Sequence, residues 1–360
     1  MTEQISKPNH WVRNAIALLD ADANRSADTH LHVFPLPKEW GIDLYLKDES
    51  VHPTGSLKHR LARSLLLYGL VNGRIGEHTT LVEASSGSTA VSEAYFARML
   101  GLPFIAVVPR STSSEKIELI EFYGGRCHLV EKAGEVDLAA RRLAEESEGY
   151  YLDQFTYAER ATDWRGNNNI AESVFSQLSA ERHPIPSWIV VGAGTGGTSA
   201  TFGRYVRYRQ HDTQVAVADP ENSSFYEGWR TGNMSHSTGL GSRIEGIGRP
   251  SVEPSFVPGV IDHMIQVPDA GSLAAMYLLR AHTRHWTGGS TGTNLYAVFQ
   301  IIAGMLERGE QGSIVTLICD SGERYANTYY NQQWLDEQGL DLAPHRVKLE
   351  HFLETGRFEA

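Results

Sequence analysis

Short apolar runs of strand length alternate with patterned stretches of helix length along most of this chain. The runs are Ile42–Leu46, Thr80–Val82, Phe104–Val108, Cys127–Val130, Trp188–Val191, Gln214–Ala218, His263–Val267 and Ile314–Ile318. Between them lie stretches with helical patterning, such as Leu57–Leu70, Thr89–Leu100, Glu115–Tyr123, Val136–Glu146 and Leu295–Leu306. Strands joined through helices of this length predict parallel sheets covered on both faces, an α/β fold. Ligands in such folds gather where loops leave the carboxyl ends of strands and helices begin. The Gly-rich and Ser-rich segments of this sequence fall at those places.

At 360 residues the chain can form two domains. An apolar share of 41% supplies a core without staples, and the cysteines, Cys127 and Cys319, form no C-x-x-C pair. A net charge of −11 argues against nucleic-acid or anionic-membrane partners. The segment Met1–His10 lacks the apolar run of a signal peptide, and no stretch reaches the roughly 20 apolar residues of a membrane helix. The expected location is the cytoplasm. Asn222–Gly248, rich in Gly, Ser and His, and the Pro-containing Arg249–Gly259 read as functional loops. The charged tail after Asn331 leaves loose packing and a subunit contact equally open.

Gly192-Ala-Gly194-Thr-Gly196-Gly197-Thr198 follows an apolar run directly. Glycines let backbone N–H groups approach an anion, and the next helix start adds free donors and a positive dipole end. A phosphate is the natural guest. Gly192, Gly194 and Gly197 also satisfy G-x-G-x-x-G, with Asp219 ending the next strand about 20 residues on. A nicotinamide-dependent dehydrogenase is therefore a competing reading, although nearly half the chain precedes the motif.

Pro53-Thr-Gly-Ser56-Leu57-Lys58 combines a turn with a helix start. A lysine there meets an unfavourable dipole in its ammonium form, which favours the amine that condenses with aldehydes. A solvated surface lysine is the bland alternative. Ser85-Ser86-Gly87-Ser88-Thr89, between a strand and a helix, suits a carboxylate or a plain N-cap. No G-x-S-x-G elbow surrounds Ser86, so a hydrolase nucleophile is not expected. His282 and His285 stand three apart with no third ligand in the pattern, and no metal is expected. His52 and His59 flank Lys58 and could tune it, although a surface role is the preferred reading.

Gly246-Ile-Gly248, Gly288-Gly-Ser290-Thr-Gly292 and Ser321-Gly-Glu-Arg-Tyr325 complete an ordered set. From about Lys47 to Tyr325 that set resembles the cysteine synthase and cystathionine β-synthase family of fold-type II pyridoxal-phosphate (PLP) enzymes. Pro53–Arg63 and Ser85–Tyr95 look closest to its bacterial L-cysteine desulfhydrase branch. The resemblance implies a tryptophan synthase β-like fold, two α/β domains with pyridoxal 5′-phosphate in the cleft between them. Residues 1–57 and 163–360 would form the larger, PLP-binding domain, and 58–162 a smaller mobile one. A homodimer is expected.

By the same resemblance, Lys58 carries the cofactor as a Schiff base and serves as general base. Gly194, Thr195, Gly196, Gly197 and Thr198 bind its phosphate, and Ser290 faces its pyridine nitrogen. Ser85, Ser86, Gly87 and Thr89 grip the substrate carboxylate with Gln154, while Gly246 lines the pocket. Ser88 occupies a place where the family commonly has asparagine against the cofactor's phenolic oxygen. Arg249 adds a cation where a small residue is expected. The reaction implied is β-elimination on L-cysteine to sulfide, pyruvate and ammonia. The alternative is a cysteine synthase, performing β-replacement on O-acetylserine with sulfide. Retention of Lys58 speaks against a scaffold that acts by binding alone.

Overall fold

Among the residues described by the computed structural model, 10–26, 28–166 and 169–358, ten strands form. They are β1 (Leu31–Phe34), β2 (Ile42–Asp48), β3 (Leu81–Glu83), β4 (Phe104–Pro109), β5 (Arg126–Val130), β6 (Tyr150–Tyr151), β7 (Trp188–Gly192), β8 (Gln214–Pro220), β9 (His263–Val267) and β10 (Gly312–Ile318). The chain divides into two units. The smaller holds the described residues up to Asp28, His52–Thr54 and Lys58–Ala161; the larger holds Thr29–Val51, Gly55–Leu57 and the described residues from Thr162 on.

The larger unit carries a six-stranded sheet in the order β1-β2-β10-β7-β8-β9. All its neighbours are parallel except β1, which runs antiparallel to β2 with His32 opposite Leu46. Strand β10 is buried throughout, as expected of a central parallel strand whose every residue is covered. Helices Asp269–Thr283 and Gly289–Glu307 pack on one face with Leu44, Val190, Ala216 and Ile314. Ile170–Leu178 and Gly197–Arg209 cover the other with Ile189, Val191 and Val315. Lys47 is fully buried in β2 and is a structural residue: its Nζ donates to Thr29 O and Gln177 Oε1, each at 2.8 Å.

The smaller unit has a parallel four-stranded sheet in the order β5-β4-β3-β6. Its core joins Leu65, Leu66, Val91, Phe96, Phe104 and Ile120. The assignment of residues 1–57 to the larger unit needs correction. Helix His10–Arg25 lies in the smaller one, where Ala15 and Leu19 are buried among Leu65, Leu66 and Ala90. Its apolar Val12, Ala15, Ile16 and Leu19 recur at helical spacing and need a helical face to cover them.

The tail after Asn331 is neither loose nor merely charged. Helix Ala343–Thr355 buries Leu349 and Phe352 in the core of the larger unit, with Leu335 from helix Gln332–Glu337. Within Asn222–Gly248 a two-turn helix forms, Phe225–Thr231. No helix among the described residues is long and apolar enough to cross a membrane. Neither Cys127 nor Cys319 forms a disulfide.

Candidate active site

In the smaller unit Lys58 is the first residue of helix Lys58–Val71 and is half-buried. The turn before it is fixed from inside. Thr54, buried, shares hydrogen bonds with His59 Nδ1 (3.1 Å) and Ser92 Oγ (2.9 Å). Ser92 lies on helix Ser88–Leu100, so the turn leading to Lys58 and the helix after the Ser-rich loop are braced together. His59 is buried, stacks on His52 at 5.0 Å and lies 3.8 Å from the Asp22 carboxylate. The surface reading of His59 is thereby overturned: a polar ring with three partners can be buried without penalty.

The loop Ser85–Thr89 runs from the end of β3 into helix Ser88–Leu100. Ser85 Oγ accepts from Gly87 N–H at 3.3 Å. The N-cap, Gly87, brings no side chain to the helix start, and helix starts are where backbone N–H groups receive anions. Thr89 Oγ1 donates to Gln154 Oε1 at 2.8 Å. Gln154 in turn donates its backbone N–H to Glu83 Oε2 (3.2 Å), and Glu83 Oε1 accepts from Ala84 N–H (2.8 Å). Asp153, at φ 50, anchors the bend before Gln154 through Arg141 (2.9 Å).

Beneath this loop lies a pair that the sequence reading missed. Glu83 and Glu93 are both fully buried. Neither Glu93 oxygen receives a hydrogen bond from another described residue, and its neighbour is the Glu83 carboxyl. Burial, outweighing two backbone donors, pushes Glu83 up to about 8. Burial and then repulsion from Glu83 hold Glu93 well above the ordinary carboxylate range. Two carboxylates cannot both ionise here, so the pair keeps at least one proton at neutral pH. A signal existed in the sequence: Glu83 interrupts an apolar strand, and Glu93 sits among Ala90, Ala94 and Ala97 on a buried helix face.

In the larger unit the Gly-rich loop links β7 to helix Gly197–Arg209. Gly196, at φ 86, is the N-cap; a Cβ there would stand 2.7 Å from Phe256 Cα. A Cβ on Gly194 would stand 2.2 Å from the carbonyl oxygen of Gly246. Both positions demand glycine, one for conformation and one for close approach. Gly248 N–H donates to Ala193 O at 2.8 Å, which fastens the Gly246–Gly248 turn to the loop. Thr195 Oγ1 takes the Gly197 N–H (3.2 Å), while the N–H groups of Thr198 and Ser199 meet no acceptor among the described residues. Backbone donors gathered at a helix start suit a phosphate.

Ser290 is buried in the first turn of helix Gly289–Glu307, whose N-cap is Gly288. Its neighbour Thr291 accepts from Cys319 N–H at 3.0 Å, tying this helix start to the end of β10. Arg249 is held by Glu253 at 2.6 Å, so its charge is largely matched within the loop. The residues therefore fit PLP in two sets. Lys58, Ser85–Thr89 and Gln154 share the smaller unit; the phosphate loop, Gly246 and Ser290 share the larger.

Strand β7, helix Gly197–Arg209 and β8 do form the parallel unit that a dinucleotide fingerprint requires. Asp219 decides against that reading. It is 0% exposed, its Oδ2 accepts from Tyr226 N–H at 2.9 Å, and burial pushes it up to about 7. Such a carboxyl is out of reach of a ribose.

Comparison with known proteins agrees with this chemistry. Residues 27–320 match the family described as pyridoxal-phosphate dependent enzyme. The chain is 59% identical to the L-cysteine desulfhydrase Cds1 of Mycobacterium tuberculosis over 97% of its own length and 96% of that protein. It is 29% identical to cysteine synthase B of Campylobacter jejuni, covering 81% of this chain and 92% of that one. Among solved structures, an O-ureido-L-serine synthase superposes with a TM-score of 0.71 at 25% identity, over 87% of this chain and 93% of the other.

Proposed function

The chain belongs to the pyridoxal-phosphate dependent enzyme family, and from that premise we propose that it is an L-cysteine desulfhydrase. It converts L-cysteine and water to hydrogen sulfide, pyruvate and ammonia. The choice of reaction rests on the likeness, over nearly the whole of both chains, to the desulfhydrase of M. tuberculosis. Cysteine synthases are similar at much lower identity, which makes synthesis from O-acetylserine the second reading. In this reading the enzyme works as a cytoplasmic homodimer, in keeping with cysteines that form no disulfide and with its family resemblance.

When bound, PLP supplies an electron sink for the charge left at Cα on proton removal. The chain's own residues do the rest. Lys58 would hold the cofactor through Nζ and would take the α-proton of the substrate. The uncapped amides of Thr198 and Ser199, with Gly194–Gly197, hold the phosphate. Ser85–Thr89 and Gln154 hold the substrate carboxylate, with Thr89 and Gln154 fixing each other. Ser88 would contact the cofactor from the same loop. Ser290 would offer a hydroxyl rather than an acid to the pyridine nitrogen, which would leave that nitrogen unprotonated. A moderate sink favours prompt loss of the thiol group over racemisation or transamination.

The test is incubation of the purified enzyme with cysteine as sole substrate. Sulfide and pyruvate should form in equal amounts. Consumption of cysteine without pyruvate would overturn the assignment.

A further inference from the structure

The larger unit carries a second constellation, apart from the phosphate loop and Ser290. Sequence spacing offered only His282 and His285; the fold chooses differently. His282 is exposed, while His285 meets His32 and Asp48. Asp48 ends β2, and His32 lies on β1, the antiparallel edge strand beside it. On that pair His32 Nε2 stands 3.4 Å from Asp48 Oδ2. His285 lies just past the C-cap of helix Asp269–Thr283, its N–H bonded to Thr283 Oγ1 (3.3 Å) and its ring 4.6 Å from that of His32. One ligating atom from each of the three lies within 4.8 Å of the other two.

We propose that His32, Asp48 and His285 form a binding site for a divalent transition metal of the zinc class. The donor set is two imidazoles and one carboxylate, which suits zinc and its neighbours and not the oxygen-seeking magnesium or calcium. Metal–ligand bonds of about 2.0–2.2 Å place tetrahedral ligand atoms about 3.3 Å apart. The His32–Asp48 separation already has that value, and the third ligand closes with a small side-chain rotation.

Two further observations favour the metal over a simple His–Asp pair. Asp48 Oδ1 is occupied by Ser50, through its N–H (3.0 Å) and its hydroxyl (2.6 Å), which leaves Oδ2 facing the imidazoles. Such outer hydrogen bonds are what orient a metal-binding carboxylate. His285 Nδ1 is buried and without a hydrogen-bond partner.

The test uses untagged holoenzyme titrated with Co²⁺ alone. One equivalent should bind and give d–d bands of a low-coordinate site, well apart from the cofactor's absorbance. His32→Gln and His285→Gln should each weaken binding about tenfold or more, and His282→Gln should leave it unchanged. Equal affinity in all three variants, or no stoichiometric binding, overturns the proposal. X-ray absorption of the zinc-loaded parent gives a readout that needs no variant to fold. Two imidazoles with oxygen donors are expected, and a shell of water alone or of sulfur contradicts the assignment.

Discussion

Thr89 Oγ1 donates to Gln154 Oε1 at 2.8 Å, a buried hydrogen bond between residues 65 positions apart. It joins the Ser-rich loop to the bend after β6, so two segments expected to grip one carboxylate are held as one surface. Replacing Thr89 by valine keeps the volume and strands the Gln154 oxygen, a loss of about 1–3 kcal/mol. KM for cysteine should rise about tenfold, with kcat changed less. An unchanged KM would remove both residues from the substrate site.

Lys58 should carry the cofactor. Borohydride reduction followed by peptide mapping should find the adduct on Lys58. Lys58→Ala should lose that adduct, with activity lower by at least about a hundredfold, the contribution of a positioned general base. An adduct on another lysine refutes the assignment.

Ser290→Asp tests the face opposite the pyridine nitrogen. A carboxylate there keeps the nitrogen protonated and deepens the electron sink. Pyruvate formation should lose ground to racemised cysteine and transamination products, as chiral chromatography would show. A parental product mixture places Ser290 elsewhere.

The buried pair Glu83 and Glu93 makes a prediction about stability and pH. In the unfolded chain both ionise near 4.5, whereas the folded pair keeps its protons until Glu83 titrates at about 8. Below about 4.5 the two states bind protons alike. From there to about 8 the folded state binds more, so this pair lowers stability as pH rises. Glu93→Gln removes the repulsion and gives Glu83 a donor. Its Tm, relative to the parent, should be higher at pH 8 than at pH 5, by about 3 °C for each kcal/mol gained in a unit of this size. Parallel melting profiles for parent and variant would show that the pair shares no proton.

Much of this was legible in the sequence, and the exceptions have physical causes. Parallel strands such as β8 and β10 are covered on both faces and read as unbroken apolar runs. β1 escaped because it is a four-residue edge strand, interrupted by His32 and stopping at Phe34 before Pro35. β6 escaped because two residues carry no period. The Gly-rich loop was readable because a close approach and a positive φ leave glycine no substitute, as at Gly194 and Gly196. The proton-sharing glutamates and the His32–Asp48–His285 cluster were not, since each joins residues whose partners only the fold determines.

The central claim is that this chain breaks a carbon–sulfur bond and is not built to make one. The direct measurement compares two rates in one preparation: sulfide release from cysteine, and cysteine formation from O-acetylserine plus sulfide. The account predicts that release from cysteine is the faster. Synthesis exceeding cleavage by orders of magnitude would contradict it and make the enzyme a cysteine synthase.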